Sequence, residues 1–209
     1  MILPRGFPGI AFGEASDGDA RSDTVARRVV SSSLGIPEAW ATVDQVHGST
    51  VVTATAPGNL GSADGIITRA RLLPIAVATA DCVPFVIVGR DSVAIVHAGW
   101  RGVAAGVARR ARRAMGEAGD EVIGAVIGPH IGPCCYEVGT EVVEAVGGYG
   151  KASRSGTLSV DLGAAIRDQL PRIEIHEESL CTMHDDRFHS YRENATRQRQ
   201  VTVAWIPRD

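Results

Sequence analysis

The chain has 209 residues, which is long enough for one domain to bury its own hydrophobic core. Its formal net charge of −3 gives no general attraction to nucleic acid or to a membrane surface, so we expect neither as a partner. No window approaches the roughly 20 apolar residues of a membrane-spanning helix, and no secretory signal is visible. We therefore expect a cytoplasmic protein whose 4 cysteines are reduced.

The N-terminal part of the chain predicts a short strand and one amphipathic helix. The strand is expected near residues 9–12, and the helix is capped by Ser22-Asp23 and ended by Gly35. Arg27 and Arg28 lie on this helix, either as solvated surface residues or facing a pocket. The predicted apolar face of the helix contains Val25, Val29, Val30 and Leu34.

Polar side chains stand at or beside the ends of three predicted strands. Strands are expected over residues 40–46 and 49–55 with His47 between them, followed by a loop over 56–62 and a strand from Ile66. Residues 75–80 form a buried strand that runs into Asp81 and Cys82, and residues 93–96 form another that ends on His97. A polar group at a strand end can be held rigidly and still face a cavity.

The second half of the chain alternates helices and strands without a strict βαβ rhythm. Helices are expected over residues 103–117, 140–146 and 161–170, with loops at 128–137 and 147–156. Strands are expected over 121–127, 172–175 and 201–206. This order predicts an α+β fold, a single domain over residues 1–209 with mixed β-sheets flanked by helices and a surface metal pocket. Neither a Rossmann nor a P-loop phosphate motif is present.

The loop over residues 128–137 contains two Gly-Pro steps and the adjacent pair Cys134-Cys135. It either lines a pocket or is a purely structural turn. Adjacent cysteines do not suit an ordinary disulfide framework, and we expect Cys134, Cys135 and Cys181 to be small buried core residues.

His47, Cys82 and His97 together form a His2Cys ligand set, which zinc binds in tetrahedral geometry with a fourth position left open. Copper accepts the same ligand types. An alternative uses Cys82 as a nucleophile and His97 as its base, with Asp81 or Gln45 orienting the reacting groups. The motif of zinc nucleobase deaminases, His-x-Glu with Pro-Cys-x-x-Cys, is not matched.

Several motifs run in order over most of the chain and resemble one family. The sharpest is His-Ala-Gly-Trp-Arg-Gly at residues 97–102. The others are Gln45-Val46-His47-Gly48, Ala63-Asp64-Gly65, Thr79-Ala80-Asp81-Cys82-Val83-Pro84, Ile127-Gly128-Pro129, Cys134-Cys135-Tyr136-Glu137-Val138-Gly139, Val160-Asp161-Leu162, Cys181-Thr182, and Phe188 with Ser190-Tyr191-Arg192. With them the chain resembles the laccase-domain purine nucleoside phosphorylase family, also described as multicopper polyphenol oxidase-like proteins or peptidoglycan editing factors.

The resemblance implies a metal, usually zinc, at His47, Cys82 and His97. It implies phosphorolysis of purine nucleosides (adenosine, inosine, guanosine and methylthioadenosine), with adenosine deamination alongside. The partners would then be these nucleosides and phosphate, with Arg27, Gln45, Asp81 and Arg101 as substrate-binding residues. Removal of misincorporated serine from a UDP-muramyl peptidoglycan precursor and polyphenol oxidase-like copper chemistry are the alternatives that the family offers. We expect a monomer or a small homo-oligomer.

The chain departs from the family pattern at three places that bear on substrate range. The first helix has Ala26-Arg27-Arg28 where the family usually has Asn-Arg, and the spacing to Gly35 favours Arg27 over Arg28 as the pocket arginine. The N-terminal segment is shortened. Near the C-terminus, Thr196-Arg197-Gln198 replaces Thr-Gly-Arg, and Glu193 replaces an arginine.

Overall fold

Two mixed β-sheets and a small hairpin, with helices on the outside, make up the computed structural model, which describes residues 1–208. The strands are β1 (Ile10–Phe12), β2 (Ala41–Asp44), β3 (Val51–Ala54), β4 (Gly58–Ser62), β5 (Gly65–Thr68), β6 (Ile75–Thr79), β7 (Val83–Gly89), β8 (Val93–Ala98), β9 (Val122–Ile127), β10 (Gly150–Ala152), β11 (Leu158–Val160), β12 (Ile175–Glu177) and β13 (Gln200–Ala204). The helices are α1 (Thr24–Leu34), α2 (Trp100–Ala104), α3 (Val107–Glu117), α4 (Thr140–Ala145), α5 (Leu162–Gln169) and α6 (Tyr191–Asn194).

The strands form two large sheets and one separate hairpin. One sheet has the order β1-β13-β6-β2-β4 and the other β12-β9-β7-β8-β5-β3, while β10 and β11 form the separate hairpin. Each large sheet contains both parallel and antiparallel pairs. For example, β2 and β4 are parallel neighbours in the first sheet, and β7 and β8 are antiparallel neighbours in the second. The predicted fold class, α+β with mixed sheets flanked by helices, is confirmed.

Three apolar clusters fill the spaces between the layers of the fold. Alternation along β7 sends Val86 toward the five-stranded sheet, where it packs with Ile75 of β6, and sends Phe85 toward the helices, where it packs with Val107 of α3. A third cluster joins α1, through Val30, to the outer face of the five-stranded sheet. No helix within residues 1–208 combines the length and the apolar character needed to cross a membrane.

Helix α1 has the predicted caps but not the predicted buried face. The Asp23 carboxylate accepts hydrogen bonds from the N–H groups of the first turn, and Gly35 ends the helix with φ 65°, in the left-handed region. Val25 and Val29 remain 64% and 62% exposed, whereas Val30 is buried. The helix is turned so that Val30 packs beside Trp40. The buried face of α1 is therefore narrower than the face that the valine pattern predicts.

Three predicted segments differ from the structure. The helix expected over residues 103–117 is two helices, because Gly106 takes φ 75° and separates α2 from α3. The loop expected over 56–62 contains β4, an edge strand of the sheet without the apolar alternation that marks a strand. The loop expected over 147–156 carries β10, which pairs with β11.

Candidate active site and metal centre

The structure brings His47, Cys82 and His97 together at one end of the two sheets. One ligand atom from each lies within 4.8 Å of the others, and the two imidazole rings meet edge to face at 4.7 Å between centroids. His97 lies in β8 opposite Pro84 of β7. Cys82 immediately precedes the first residue of β7, so it lies close to His97. His47 follows β2, so the site joins residues from both sheets.

A fully buried carboxylate, Asp64, orients two of the three groups. Its oxygens accept hydrogen bonds from the backbone N–H groups of His47 at 2.9 Å and Gly48 at 2.6 Å. The Nδ1–H of His97 donates to the same carboxylate at 2.8 Å. This bond leaves Nε2 of His97 as the nitrogen that is free to bind a metal, the usual arrangement of a carboxylate behind a metal-binding histidine.

Two non-glycine residues with left-handed backbone lie at the site. His47 has φ 58° and Asp81 has φ 88°. Such conformations cost about 1–3 kcal/mol and persist where surrounding contacts hold them. The Asp81 carboxylate accepts from Thr182 Oγ1 at 2.8 Å and from the backbone N–H of Arg192 at 2.7 Å, so Asp81 holds the turn before Cys82 and the C-terminal segment together.

The protonation states in the metal-free protein follow from burial and close contact. Burial alone would raise the pKa of Cys82, but hydrogen bonds and charge from His47 and His97 lower it from 9.0 to about 6. Burial would lower the pKa of His97, but Asp64 and the Cys82 thiolate raise it to about 9. Burial also opposes the ionisation of Asp64, yet the His97 contact lowers the pKa of that carboxyl group. The site therefore holds a thiolate beside an imidazolium.

These residues fit a metal ion. The donor set contains one thiolate and two imidazoles, the ligands that zinc and copper bind in proteins. His97 is buried, Cys82 is half-buried and His47 is exposed, so the cluster is open on the side that faces the cavity. His47, Cys82 and His97 could therefore hold a metal ion with one coordination position left for water or a substrate.

The cluster lies in a cavity of about 460 Å³, within the usual size of small-molecule sites. Arg21, Arg192 and Arg199 give the wall a positive charge, and Tyr136 and Tyr191 supply aromatic rings. Burial and the nearby Cys82 thiolate raise the pKa of Tyr136 to about 12, so its hydroxyl stays protonated at neutral pH. A larger groove beside α3 lies on another surface and contains none of the three ligands.

The other site residues predicted from sequence occupy different places. Gln45 lines the cavity, but its amide is paired with the backbone of Ala78 at 2.8 and 2.9 Å and fixes β6. Arg27 does not line the cavity, because its guanidinium donates to the backbone carbonyls of Ala20 and Arg21 and stacks over Trp40. It holds the segment that carries Arg21, which does line the cavity.

Arg28 and Arg101 also lie outside the cavity wall. Arg28 is exposed and pairs with Glu38 at 3.5 Å. Arg101 is exposed and stacks over the ring of Trp100 at 4.5 Å. Its positive charge nevertheless acts on Tyr136, where it opposes the rise in the pKa of the hydroxyl group. The cavity arginines are instead Arg21 from the N-terminal loop and two residues from the C-terminal segment.

Sequence reasoning missed Asp64, Arg21, Arg192 and Arg199 as site residues. Asp64 stands in a turn before Gly65 and in the motif Ala63-Asp64-Gly65, but nothing in its neighbours shows that it faces His97. The three arginines stand in polar segments that have no apolar periodicity to place them. Only the tertiary structure shows where they lie: all three line the cavity, and the backbone N–H of Arg192 donates to Asp81.

Gly99 is required by the close approach of the candidate metal ligands His47 and Cys82. A Cβ at this position would meet His47 Cδ2 at 2.9 Å and Cys82 Sγ at 3.2 Å. Gly99→Ala is therefore expected to weaken metal binding by at least about tenfold, a loss like that caused by disturbing the shell around a metal site. Competition with a chelating dye measures this affinity.

Gly116→Ala provides the matched control. A Cβ at Gly116 meets no atom within 4 Å, and the residue lies near the end of α3. This variant should bind metal normally and gain up to about 1 kcal/mol of stability from helix propensity. Equal metal affinity in the two variants would contradict the steric role of Gly99.

The two stacked mixed sheets and the open His–Cys–His cluster define an α+β protein with a pocket whose residues could hold a metal ion. The chain belongs to the family described as multi-copper polyphenol oxidoreductase laccase, which matches residues 8–207. The predicted family membership is thus confirmed.

Relatives of known name cover most of the chain. A Pseudomonas aeruginosa protein named purine nucleoside phosphorylase is 34% identical over 96% of this chain and 87% of its own length. A Streptomyces coelicolor protein of the same name is 34% identical over 93% and 87%. The solved structure of YlmD from Geobacillus stearothermophilus superposes with a TM-score of 0.80 at 27% identity, over 90% of this chain and 82% of that one. Neisseria meningitidis protein NMB0706 gives 0.76 at 31% identity, over 88% and 80%.

Proposed function

We propose that this chain, as one catalytic domain, cleaves purine nucleosides with phosphate, giving the free base and the sugar 1-phosphate. The observation that carries the proposal is that a His2Cys ligand set and three arginines face one cavity of about 460 Å³. The relatives named purine nucleoside phosphorylase support it. The substrates that we propose are adenosine, inosine, guanosine and methylthioadenosine, and the metal is zinc, held by His47, Cys82 and His97.

The arginines of the cavity are suited to bind phosphate. Arg192 donates through one Nη1–H to the carbonyl oxygen of Glu137 at 2.6 Å, and its guanidinium stacks over Tyr136 at 5.0 Å. A guanidinium has five N–H donors, so most of those of Arg192 remain for an anion. Arg21, which pairs with Asp19 at 3.3 Å, and Arg199 add two further guanidinium groups to the same wall. Charge-assisted hydrogen bonds from these groups would hold phosphate and point one oxygen at C1′ of the sugar.

The base needs a flat, partly apolar surface and a way to receive negative charge. Tyr136 and Tyr191 line the cavity and supply the rings. As the phosphate oxygen forms its bond to C1′, the C1′–N9 bond breaks and its electron pair goes to the purine, which then takes up a proton. Tyr136, protonated at neutral pH, offers a hydroxyl that can donate a hydrogen bond as that charge develops.

Zinc in this ligand set would supply Lewis-acid charge and lower the pKa of bound water to about 7, which would serve the adenosine deamination proposed as a side activity. The chain's contribution is to fix the ligands. Asp64 holds the ring of His97 and the backbone of His47, and Asp81 fixes the turn before Cys82. The alternative is a copper ion bound by the same ligands, with polyphenol oxidation as the activity. Metal analysis distinguishes copper from zinc.

The test is base release from each nucleoside with and without phosphate, combined with elemental analysis. We expect base and sugar 1-phosphate only when phosphate is present, and one zinc fewer per chain in His97→Ala than in the wild type. Serine release from the UDP-muramyl peptidoglycan precursor, without nucleoside turnover, would instead identify an amide hydrolase that uses the same cavity. Metal binding without turnover of either substrate would contradict an enzymatic role.

Arg192→Gln is expected to raise the KM for phosphate by about 10- to 100-fold, since it removes a charge-assisted interaction worth roughly 1.5–3 kcal/mol. The KM for the nucleoside should change less. Arg28→Gln is the matched control, because Arg28 is exposed and lies on α1 outside the cavity. A KM for phosphate that is equal in both variants would remove Arg192 from the phosphate site.

A further inference from the structure

A second cluster of metal-binding side chains lies apart from the cavity. Cys134, Cys135, Cys181 and His184 each place one ligand atom within 4.8 Å of the others. All three cysteines are free and half-buried, so the prediction that they are buried core residues is wrong. His184 is exposed at the surface end of the cluster.

Two contacts in the cluster lie at or near the spacing of a ligand shell. Nδ1 of His184 lies 3.3 Å from Cys135 Sγ and 3.9 Å from Cys134 Sγ. Ligand atoms around a tetrahedral zinc with bonds of 2.0–2.3 Å stand about 3.3–3.8 Å apart. The side chains therefore need only small rotations to surround one ion.

The backbone around the cysteines is already fixed. The segment at His130 pairs with the segment at Cys181 as an isolated parallel bridge, with hydrogen bonds of 3.2 Å from His130 to Leu180 and 3.0 Å from Thr182 to His130. The backbone N–H of Gly132 donates to the sulfur of Cys181 at 3.3 Å. This contact ties the loop that carries Cys134 and Cys135 to the segment that carries Cys181.

We propose that Cys134, Cys135, Cys181 and His184 bind a second zinc ion in a closed, four-coordinate structural site. A Cys3His set with no ligand missing is the arrangement of structural rather than catalytic zinc. On binding, the three thiols release their protons and His184 binds through Nδ1 with the hydrogen on Nε2. Arg154 now lies 3.2 Å from Nε2 and is exposed, so its guanidinium turns away when that nitrogen carries hydrogen.

The position of this site gives the zinc a role in shaping the cavity. One tethered segment carries Tyr136, and the other leads to Tyr191 and Arg192, all of which line the cavity. Both segments also contact the turn before Cys82, since Ile131 N–H donates to the Asp81 carbonyl at 3.0 Å and Thr182 Oγ1 to its carboxylate. A zinc that joins the two segments would brace the wall of the cavity without touching the substrate.

The experiment is metal analysis of the full chain, purified with a phosphine reductant and without chelator. We expect two zinc ions per chain in the wild type and one in His184→Ala, in Cys181→Ser and in His97→Ala. The double variant His97→Ala with His184→Ala should bind none. His176→Ala, which removes an exposed histidine outside both clusters, should keep two. Because the count does not depend on turnover, it tests this site even if the proposed phosphorolysis fails.

Two further measurements separate a zinc site from loss of folding and from a disulfide. His184→Cys should retain the second zinc, because a thiolate replaces the imidazole, whereas His184→Ala should lower Tm by roughly 5 °C or more relative to the wild type. One zinc per chain in both the wild type and His184→Ala would overturn the proposal. A mass 2 Da lower without reductant, with only one zinc bound, would likewise overturn it and indicate a disulfide in the cluster.

Discussion

Cys82→Ser is expected to lower nucleoside phosphorolysis by about 1,000-fold or more and to remove one zinc per chain. A serine hydroxyl does not ionise near neutral pH, so the variant loses the only thiolate among the three ligands. A bound metal supplies several kcal/mol of charge stabilisation, and each 1.36 kcal/mol corresponds to tenfold in rate. The measurements are kcat/KM for adenosine and metal content.

The same variant separates the two roles that the sequence leaves open for Cys82. If Cys82 were the nucleophile and His97 its base, Cys82→Ser would lose activity without a change in metal content. Alkylation gives an independent answer, because a thiol with a pKa of about 6 should react readily with iodoacetamide at neutral pH. We expect Cys82 in the zinc-bound protein to resist alkylation until a chelator removes the metal. Rapid alkylation of the metal-bound protein would favour the nucleophile.

Asp64→Asn is expected to weaken metal binding by about 10- to 100-fold and to destabilise the metal-free protein by roughly 3 kcal/mol. The carboxylate is completely buried and orients both His97 and the backbone at His47, and partners of metal-binding histidines contribute in this range. An amide carries no charge, so the buried His97 imidazolium loses its partner. Dye competition measures the affinity and urea unfolding the stability.

Asp120→Asn is the matched control, because Asp120 is also a buried aspartate but accepts from Asp91 and Ser92, away from the ligands. It should lose stability and keep its metal affinity.

The pH dependence of stability gives a second test of the role of Asp64. The pKa of Asp64 is lowered in the folded state, so its contribution to stability is present above the ordinary carboxyl range near 4 and is lost as the pH falls through the folded pKa. The stability difference between Asp64→Asn and the wild type should therefore shrink in acid; a constant difference would contradict this role.

Local chemistry made much of the fold predictable. Helix α1 begins at Asp23 and ends before Gly35, as the capping residues predict, because caps act within one helical turn. The buried strands around β6 and β8 were visible because each is a continuous apolar run. Strand β4 was not visible, since an exposed edge strand owes its structure to backbone pairing with β2 rather than to its own side chains.

For the site, the sequence by itself determined the candidate ligand types: a thiol and two imidazoles beside strands, which the structure gathers as His47, Cys82 and His97. Only the tertiary structure decided that Asp64 stands behind His97, that Arg27 supports the cavity segment from outside while Arg21 lines it, and that Cys181 and His184 meet Cys134 and Cys135. Side-chain chemistry belongs to each residue and can be read along the chain. Which distant groups meet depends on sheet order and on the packing of irregular segments, and neither leaves a periodic pattern in the sequence.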